Sequence, residues 1–562
     1  MKLDERHSVS PQRQMGDHPW SRFGTLSSPY IAAAVAFIWY FRVVIQDGRL
    51  PGNNGDARWT IAVVEHWHAV FAGHEPIRDL SFFFPAQRTL GMSDAYFLPG
   101  VVHSALRATG LGVIRSWTIA MLGTYLLGAV GVAALSSVLF RRNVTRVTFV
   151  LTACLSYPLV MEEGHVQLFA MLWWSWIVLA LIQIIRGDGG QISLWVLAVG
   201  VPMLALTAWY PLALGMLVLG VVGVTAFAMF GRLVGRFPRA AALHILALAR
   251  RPAGLIAFVF SLSLWFFAAW VYLPARSLVG RRSWLDVVPQ SPRWSDLFNG
   301  YGMGGGIWSP LYRRMYPDTS LFNAEQSLGV TPLLFGFFVL CLFIGLRQLL
   351  SRRDTSGPRS SWAAVLVIGI AIGLVWALFL VDERSFGLFR LAFEYVPAMD
   401  SVRAPFRVQI LIYPLILFIV FTSAEQIFLS ATKHTRALTN IMISLLGFVI
   451  LLEMSRPADP GWTAELVTTQ RWNQIPEIVA NCDAFVFTPT EPAPYGDIDA
   501  VMLSMLSGVP TVNGYSGGSP VGHSSTISDG QTTDATRAWL QAGGFQGSLC
   551  LAAPTGVVRI AS

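Results

Sequence analysis

Charge is what this chain lacks most. Asp, Glu, Lys and Arg make up 13% of its 562 residues, against roughly 25% in an ordinary soluble domain. That deficit excludes a soluble globular protein. Walker-type phosphate loops, His-x-x-x-His pairs and Cys-x-x-Cys pairs are also missing, so nucleotide hydrolysis and zinc chemistry have no support in the sequence. The net charge of +8 comes from basic residues in short loops, without a basic stripe interleaved with aromatics, which argues against a nucleic-acid partner. No repeat of fixed period is found. The N-terminal tail holds no short apolar core followed by a small-residue cleavage site, so the first apolar segment is expected to be retained.

Apolar sequence is what the chain has instead: 54% hydrophobic residues and a mean hydropathy of +0.53. Windows of about 19 residues are repeatedly apolar enough to cross roughly 30 Å of hydrocarbon. The expectation is an α-helical polytopic membrane protein of about eleven spans, near residues 28–45, 113–140, 147–161, 168–185, 192–208, 211–230, 254–274, 328–346, 363–381, 409–428 and 440–452. Basic residues fall in the tail (Lys2, Arg6, Arg13, Arg22) and in alternate connections: Arg141, Arg142 and Arg146, then Arg232 to Arg251, then Arg347 to Arg359, then Lys433 and Arg436. The positive-inside rule makes that side cytoplasmic. Three domains are expected: a cytoplasmic tail over 1–27, a transmembrane domain over 28–454 with external loops 46–112 and 276–326, and an external domain over 455–562.

The last segment carries no lysine and reads as a small α/β domain. Strands are expected at 484–487 and 509–512, helices at 470–479 and 533–542, and a Gly/Ser-rich loop at 514–522. Cys154 and Cys341 lie inside spans, where a thiol is a small apolar side chain. Cys482 and Cys550 both fall in the exported domain beside strand-like segments, and a disulfide between them is expected.

Candidate chemistry gathers on the external side. Asn53-Asn54-Gly55-Asp56-Ala57-Arg58 opens an amphipathic segment containing Glu65, His66 and His68, read as a helix lying along the membrane surface. Asp56 has two readings, a proton acceptor for an attacking hydroxyl and an ordinary helix cap. Ser93-Asp94 follows in the same loop. Glu162-Glu163-Gly164-His165-Val166-Gln167 forms a polar external turn, and Glu325 precedes a span; these either line a cavity or are hydrated. Arg403 and Arg407, four apart around Pro405, sit outside against the positive-inside bias. They read as phosphate ligands, or as headgroup contacts, or as partners of Asp400.

Taken in order, these blocks resemble bacterial GT-C type polytopic membrane glycosyltransferases, in particular the YfhO-related group. The matching pieces are Gly55-Asp56-Ala57-Arg58 with Glu65-His66, Ser93-Asp94, Gly164-His165-Val166-Gln167, Glu325 with Leu328-Gly329, Arg403-Ala404-Pro405-Phe406-Arg407, and Val512-Asn513-Gly514-Tyr515-Ser516-Gly517. A longer arginine-rich third loop and the closing Gly556-Val557-Val558-Arg559-Ile560 depart from that group. The resemblance implies an inverting transferase in the bacterial inner membrane that takes a sugar from a polyprenyl-phosphate donor to an extracytoplasmic glycan or lipid-linked acceptor. It further implies Asp56 as general base, with Arg58, Glu65, His66, Asp94, Glu163, His165, Gln167 and Glu325 around the substrates and Arg403 and Arg407 on the donor phosphate. No cofactor is assigned, and a divalent ion, Mg or Mn, is left open.

Two other functions remain in view: a flippase or transporter of lipid-linked glycans, and a glycan polymerase or ligase. A transporter would place ionisable groups near the middle of several spans, whereas here the polar clusters stay at one interface.

Overall fold

The computed structural model describes residues 19–47, 49–52, 55–162, 164–234, 236–298, 307–308, 310–311, 314, 324–326, 328–351, 358–382, 386–396, 399–428, 433–454, 462–463, 479, 481–488, 495–523, 534–553 and 556–560. Among these, nine helices are long and apolar enough to cross a membrane: Val113–Leu139, Asn143–Met161, Val166–Arg186, Trp209–Gly231, Pro252–Val279, Pro332–Leu350, Ser361–Phe379, Pro405–Ile427 and Arg436–Met454. At 1.5 Å per residue even a 19-residue helix reaches roughly 28 Å. The other two expected spans are also helical. Gln191–Thr207 has 17 residues. The first helix, Pro19–Tyr40, starts and stops earlier than expected, because the chain breaks at Phe41 before the short helix Arg42–Asp47.

Prolines set several of the starts. Pro252 and Pro332 occupy the first turn of their helices, where a missing N–H leaves no bond unmade. Small residues set the close crossings: Gly215 packs against the Trp174 indole, and Gly447 against Thr148, with no room for a Cβ at either contact.

The described connections are tied together in two groups. One end of the bundle holds Arg141 and Arg142, whose backbone amides donate to Glu425 at 3.1 and 2.8 Å. The other end holds the described residues of the first loop, of 164–165, 280–298, 324–326, 328–331, 380–382, 386–396 and 399–404, and of the C-terminal segment. There Glu453 accepts from Thr331 Oγ1 at 2.7 Å and from the amides of Leu333 and Leu334 at 2.6 and 3.0 Å. Those bonds satisfy the otherwise open first turn of Pro332–Leu350.

The C-terminal segment forms a three-stranded sheet. Ala484–Phe487 pairs parallel with Leu549–Ala553, which pairs antiparallel with Gly556–Ile560. The strand expected at 509–512 is reduced to one bridge, Phe485 to Thr511. Of the two expected helices, Asp534–Ala542 is present, while 470–479 falls outside the described residues except for Val479. Cys482 and Cys550 are joined in a disulfide, with Cα atoms 6.0 Å apart.

This segment is stitched to the first loop. Thr511 N donates to Ser81 O at 2.8 Å, Phe84 N to Thr511 O at 3.0 Å and Phe83 N to Asn513 O at 2.9 Å. Helix Tyr495–Ser507 packs on helix Asp56–Phe71. The latter was expected on the membrane surface. Instead Ala57 to Val64, His66 and Trp67 are all buried, because the bundle covers one side and the C-terminal segment the other.

Candidate active site

Helix Asp56–Phe71 begins with Gly55 at its N-cap, which leaves the Asp56 carboxylate for other partners. Asp56 Oδ2 lies 2.9 Å from His165 Nε2, and Oδ1 accepts the Tyr515 hydroxyl at 2.6 Å. His165 Nδ1 lies 2.9 Å from Glu162 Oε2. Behind them Arg407 Nε donates to Glu325 Oε2 at 2.9 Å and lies 3.3 Å from Glu162 Oε2, while its Nη2 pairs with Glu325 Oε1. Three carboxylates, an imidazole and a guanidinium therefore meet where the first loop, the 162–165 turn, residues 324–326 and the start of Pro405–Ile427 converge.

The charges explain the protonation states. Burial pushes the Asp56 carboxyl up, but the hydrogen bond and charge of His165, the Tyr515 hydroxyl and the Arg407 charge outweigh it and bring it down to about 2. Burial and the charge of Arg407 oppose protonation of His165. The charge of Glu162 and the hydrogen bonds to Asp56 and Glu162 prevail, raising it to about 9. Each ring nitrogen thus lies 2.9 Å from a carboxylate, Nε2 from Asp56 and Nδ1 from Glu162. Arg407 Nη2 comes within 2.8 Å of His165 Nε2; this approach of like charges is made tolerable by the three surrounding carboxylates.

The cluster opens on a cleft of about 360 Å3. Asp56, His165, Gln167 and Arg407 form its floor, with Asp94, Trp59, Trp209, Tyr210, Tyr272 and the strap Tyr515-Ser516-Gly517 around them, and Arg276, Arg282, Asp400 and Arg403 at one side. Aromatic faces beside carboxylates suit sugar rings and their hydroxyls. Asp94 Oδ1 accepts the Trp209 amide at 2.8 Å. Burial nevertheless raises this carboxyl to about 6, against the pull of the Trp209 and Tyr210 amides and the charge of Arg407.

Of the residues singled out in the sequence, Asp56, Asp94, His165, Gln167, Arg403 and Arg407 line this cleft. Glu325 stands behind it, bonded to Arg407. Glu163 lies outside the described residues. Three do not reach the cleft, which corrects their expected placement around the substrates. Arg58, 1% exposed, forms a buried ion pair with Asp499 of the C-terminal segment. Glu65 holds Arg107, at 3.1 Å, and His103. His66 pairs with Glu75 and contacts Ile77 O at 3.1 Å. All three fasten the first loop to its neighbours.

Sequence reasoning placed Glu162 in a polar turn that either lines a cavity or is hydrated, and it missed Tyr515, Arg276 and Arg282. Tyr515 lies in one of the matching blocks without a role of its own, and Arg276 and Arg282, like Arg403, are arginines that border an apolar segment on the external side. Gly514-Tyr515-Ser516-Gly517-Gly518 also spells Gly-x-Ser-x-Gly, but no helix directly follows Ser516, so it is not the strand-to-helix elbow of a hydrolase.

Glu162, His165 and Glu325 bring ligand atoms within 4.8 Å of one another. In this arrangement they do not fit a resident cation. The Arg407 guanidinium already lies among them, and a metal ion would have to displace it.

No family model and no curated relative matches the chain. Among solved structures it is similar to the oligosaccharyltransferase of Archaeoglobus fulgidus. Against the complex with Zn and sulfate it shows 12% identity and a TM-score of 0.43 over 85% of this chain and 57% of that one. The apo form gives 13%, 0.42, 86% and 60%. AglB in complex with an inhibitory peptide and a dolichol-phosphate gives 11%, 0.45, 88% and 65%. The chain thus spans 57% to 65% of the length of these structures.

Proposed function

We propose that the chain is a glycosyltransferase of the GT-C type, within the YfhO-related group, that moves a sugar from a polyprenyl-phosphate donor to a glycan or lipid-linked acceptor. Its working end faces away from the cytoplasm of a bacterial inner membrane, with the N-terminus inside and the C-terminal domain outside. One observation carries the reading: a single cleft at the end of the helical bundle holds the Asp56 carboxylate, a ring of aromatics and a set of arginines. Supporting it are the ordered sequence blocks that meet there.

In the reaction, an acceptor hydroxyl attacks the anomeric carbon while the bond from that carbon to the phosphate oxygen breaks. The lipid phosphate departs with the electron pair, the proton passes to Asp56, and the configuration inverts. A carboxylate held near pKa 2 is a weak base for a resting hydroxyl. It suffices once the new carbon–oxygen bond has made that proton strongly acidic, which places proton transfer late. The carrier alternative loses ground because the cluster sits at one end of the bundle and not at its middle.

The test is mass spectrometry of lipid-linked sugars and envelope glycans in a deletion strain. Loss of one hexose, pentose or deoxysugar, with its polyprenyl-phosphate precursor accumulating, is the expected result. Unchanged glycans and precursors would overturn the reading.

A further inference from the structure

Three arginines, Arg276, Arg282 and Arg403, line one side of the cleft around the Asp400 carboxylate, with Arg281 beside them but off it. Arg276 lies in the last turn of helix Pro252–Val279, Arg281 and Arg282 follow it, and Arg403 stands just before the turn Pro405–Val408. Asp400 lies 2.9 Å from Arg276 Nη2 and 3.9 Å from Arg281 Nε. Arg282 Nη2 donates to the Gly517 carbonyl at 2.7 Å. Exposed Arg403 has no carboxylate partner among the described residues. Burial and the charge of Arg403 make Arg282 hold its proton less tightly than usual, as expected where positive charge is left unbalanced.

Arg407 differs from these. Glu325 and Glu162 answer its charge, and its guanidinium is held in the floor of the cleft. A phosphoryl group that depended on it would have to compete with two buried carboxylates. Arg282 and Arg403 have no ion pair with a carboxylate among the described residues, and Arg276 has one, Asp400, against two for Arg407; guanidinium forks match phosphate oxygens in pairs.

We propose that Arg276, Arg282 and Arg403 form a binding site for a phosphoryl group, and that Arg407 is a positioning residue that holds Glu162, Glu325 and His165 in place. The inference rests on the donor reading above only in taking that group to be a lipid phosphate; a free phosphate shares the same chemistry.

The experiment uses the full chain in nanodiscs and two probes, undecaprenyl phosphate and inorganic phosphate, with binding followed by microscale thermophoresis. Arg282→Ala and Arg403→Ala should each weaken both probes roughly ten- to a hundredfold, the range for a charged hydrogen bond. Arg282→Lys should fall between, because the charge stays and the fork is lost. It also serves if the alanine variant does not fold. Arg281→Ala, off the cleft, should stay within about threefold on the same scale. Phosphate binding that needs these arginines, without binding of the lipid, would uphold the site and overturn the lipid donor. Lipid binding indifferent to them would uphold the donor and overturn the site. Unchanged affinities in the three variants, or no binding of either probe to the unaltered chain, would overturn the site as well.

Discussion

The hydroxyl of Tyr515 sits on Oδ1 of Asp56 at 2.6 Å, where a reacting acceptor hydroxyl would have to donate if Asp56 is the base. The two residues are 459 positions apart. The strap carrying Tyr515 is wedged in place: Gly514 packs on Phe83, and Val521 N donates to Leu278 O at 2.9 Å. The C-terminal segment therefore reaches into the site and supplies part of its wall.

Tyr515→Phe removes that hydroxyl and keeps the ring against Trp59. Acceptor and phenol compete for one carboxylate oxygen, so the variant should lower the KM for acceptor severalfold and raise hydrolysis of the donor by water, with kcat for transfer near normal. Steady-state kinetics separates the outcomes. A collapse of kcat at unchanged KM would mean that Tyr515 is needed to orient Asp56 and is no competitor.

Asp94 gives the pH dependence. Its carboxyl, raised from 3.8 to about 6 by burial, ionises on the acid side of neutrality, whereas Asp56 at about 2 stays ionised throughout. If the ionised form of Asp94 orients the sugar hydroxyls, transfer should rise through pH 6 and level off above 7. Asp94→Asn should flatten that limb. A limb that persists in the variant would assign it to another group.

His165 makes an opposite claim, on stability. A basic group raised from 6.5 to about 9 contributes stability that is fully present below pH 6.5 and is lost as pH rises through 9. The linked free energy is on the order of 3 kcal/mol. Thermal unfolding should therefore weaken between pH 7 and 10 in the unaltered protein and change less with pH in His165→Gln.

Much of the bundle was legible because apolar windows of membrane length leave little else to form. Helix ends were less so: Pro332 and Pro405 fix starts that hydropathy alone blurs. In the site, Asp56, Asp94, His165, Gln167, Arg403 and Arg407 could be picked out as polar residues at one end of apolar segments. What could not be read was pairing across the chain. Arg58 sits two residues from Asp56 and looks equally polar in the sequence, yet a half-turn of helix sends it to Asp499 and away from the cleft. Glu65 and His66 were misplaced for the same reason.

The Arg58–Asp499 pair is correspondingly a stability element. Both side chains are nearly sealed, at 1% and 7% exposure, and removing one partner of such a pair leaves an uncompensated charge that costs about 3 to 5 kcal/mol. Arg58→Ala should lower the unfolding midpoint and loosen the C-terminal segment from the first loop, seen as faster hydrogen exchange in residues 495–507. Arg58→Ala with Asp499→Ala should recover part of the loss. Equal damage from the single and double variants would show that the pair is not what joins the two segments.

Asp56→Asn decides whether the cleft is catalytic at all. Asparagine keeps the size of the side chain and can still accept from Tyr515 or His165, and with Gly55 at the N-cap the helix does not need the charge. What disappears is the negative charge and the place for a proton. Loss of a general base typically costs about 10² to 10⁴ in rate, so the variant should fold, bind undecaprenyl phosphate with unchanged affinity and transfer sugar at that reduced rate. Folding is checked by the unfolding midpoint and binding by the lipid titration, which leaves turnover as the readout. Near-normal turnover would remove Asp56 from the chemistry and hand the role of proton acceptor to Asp94, a carboxylate on the cleft that burial raises to about 6.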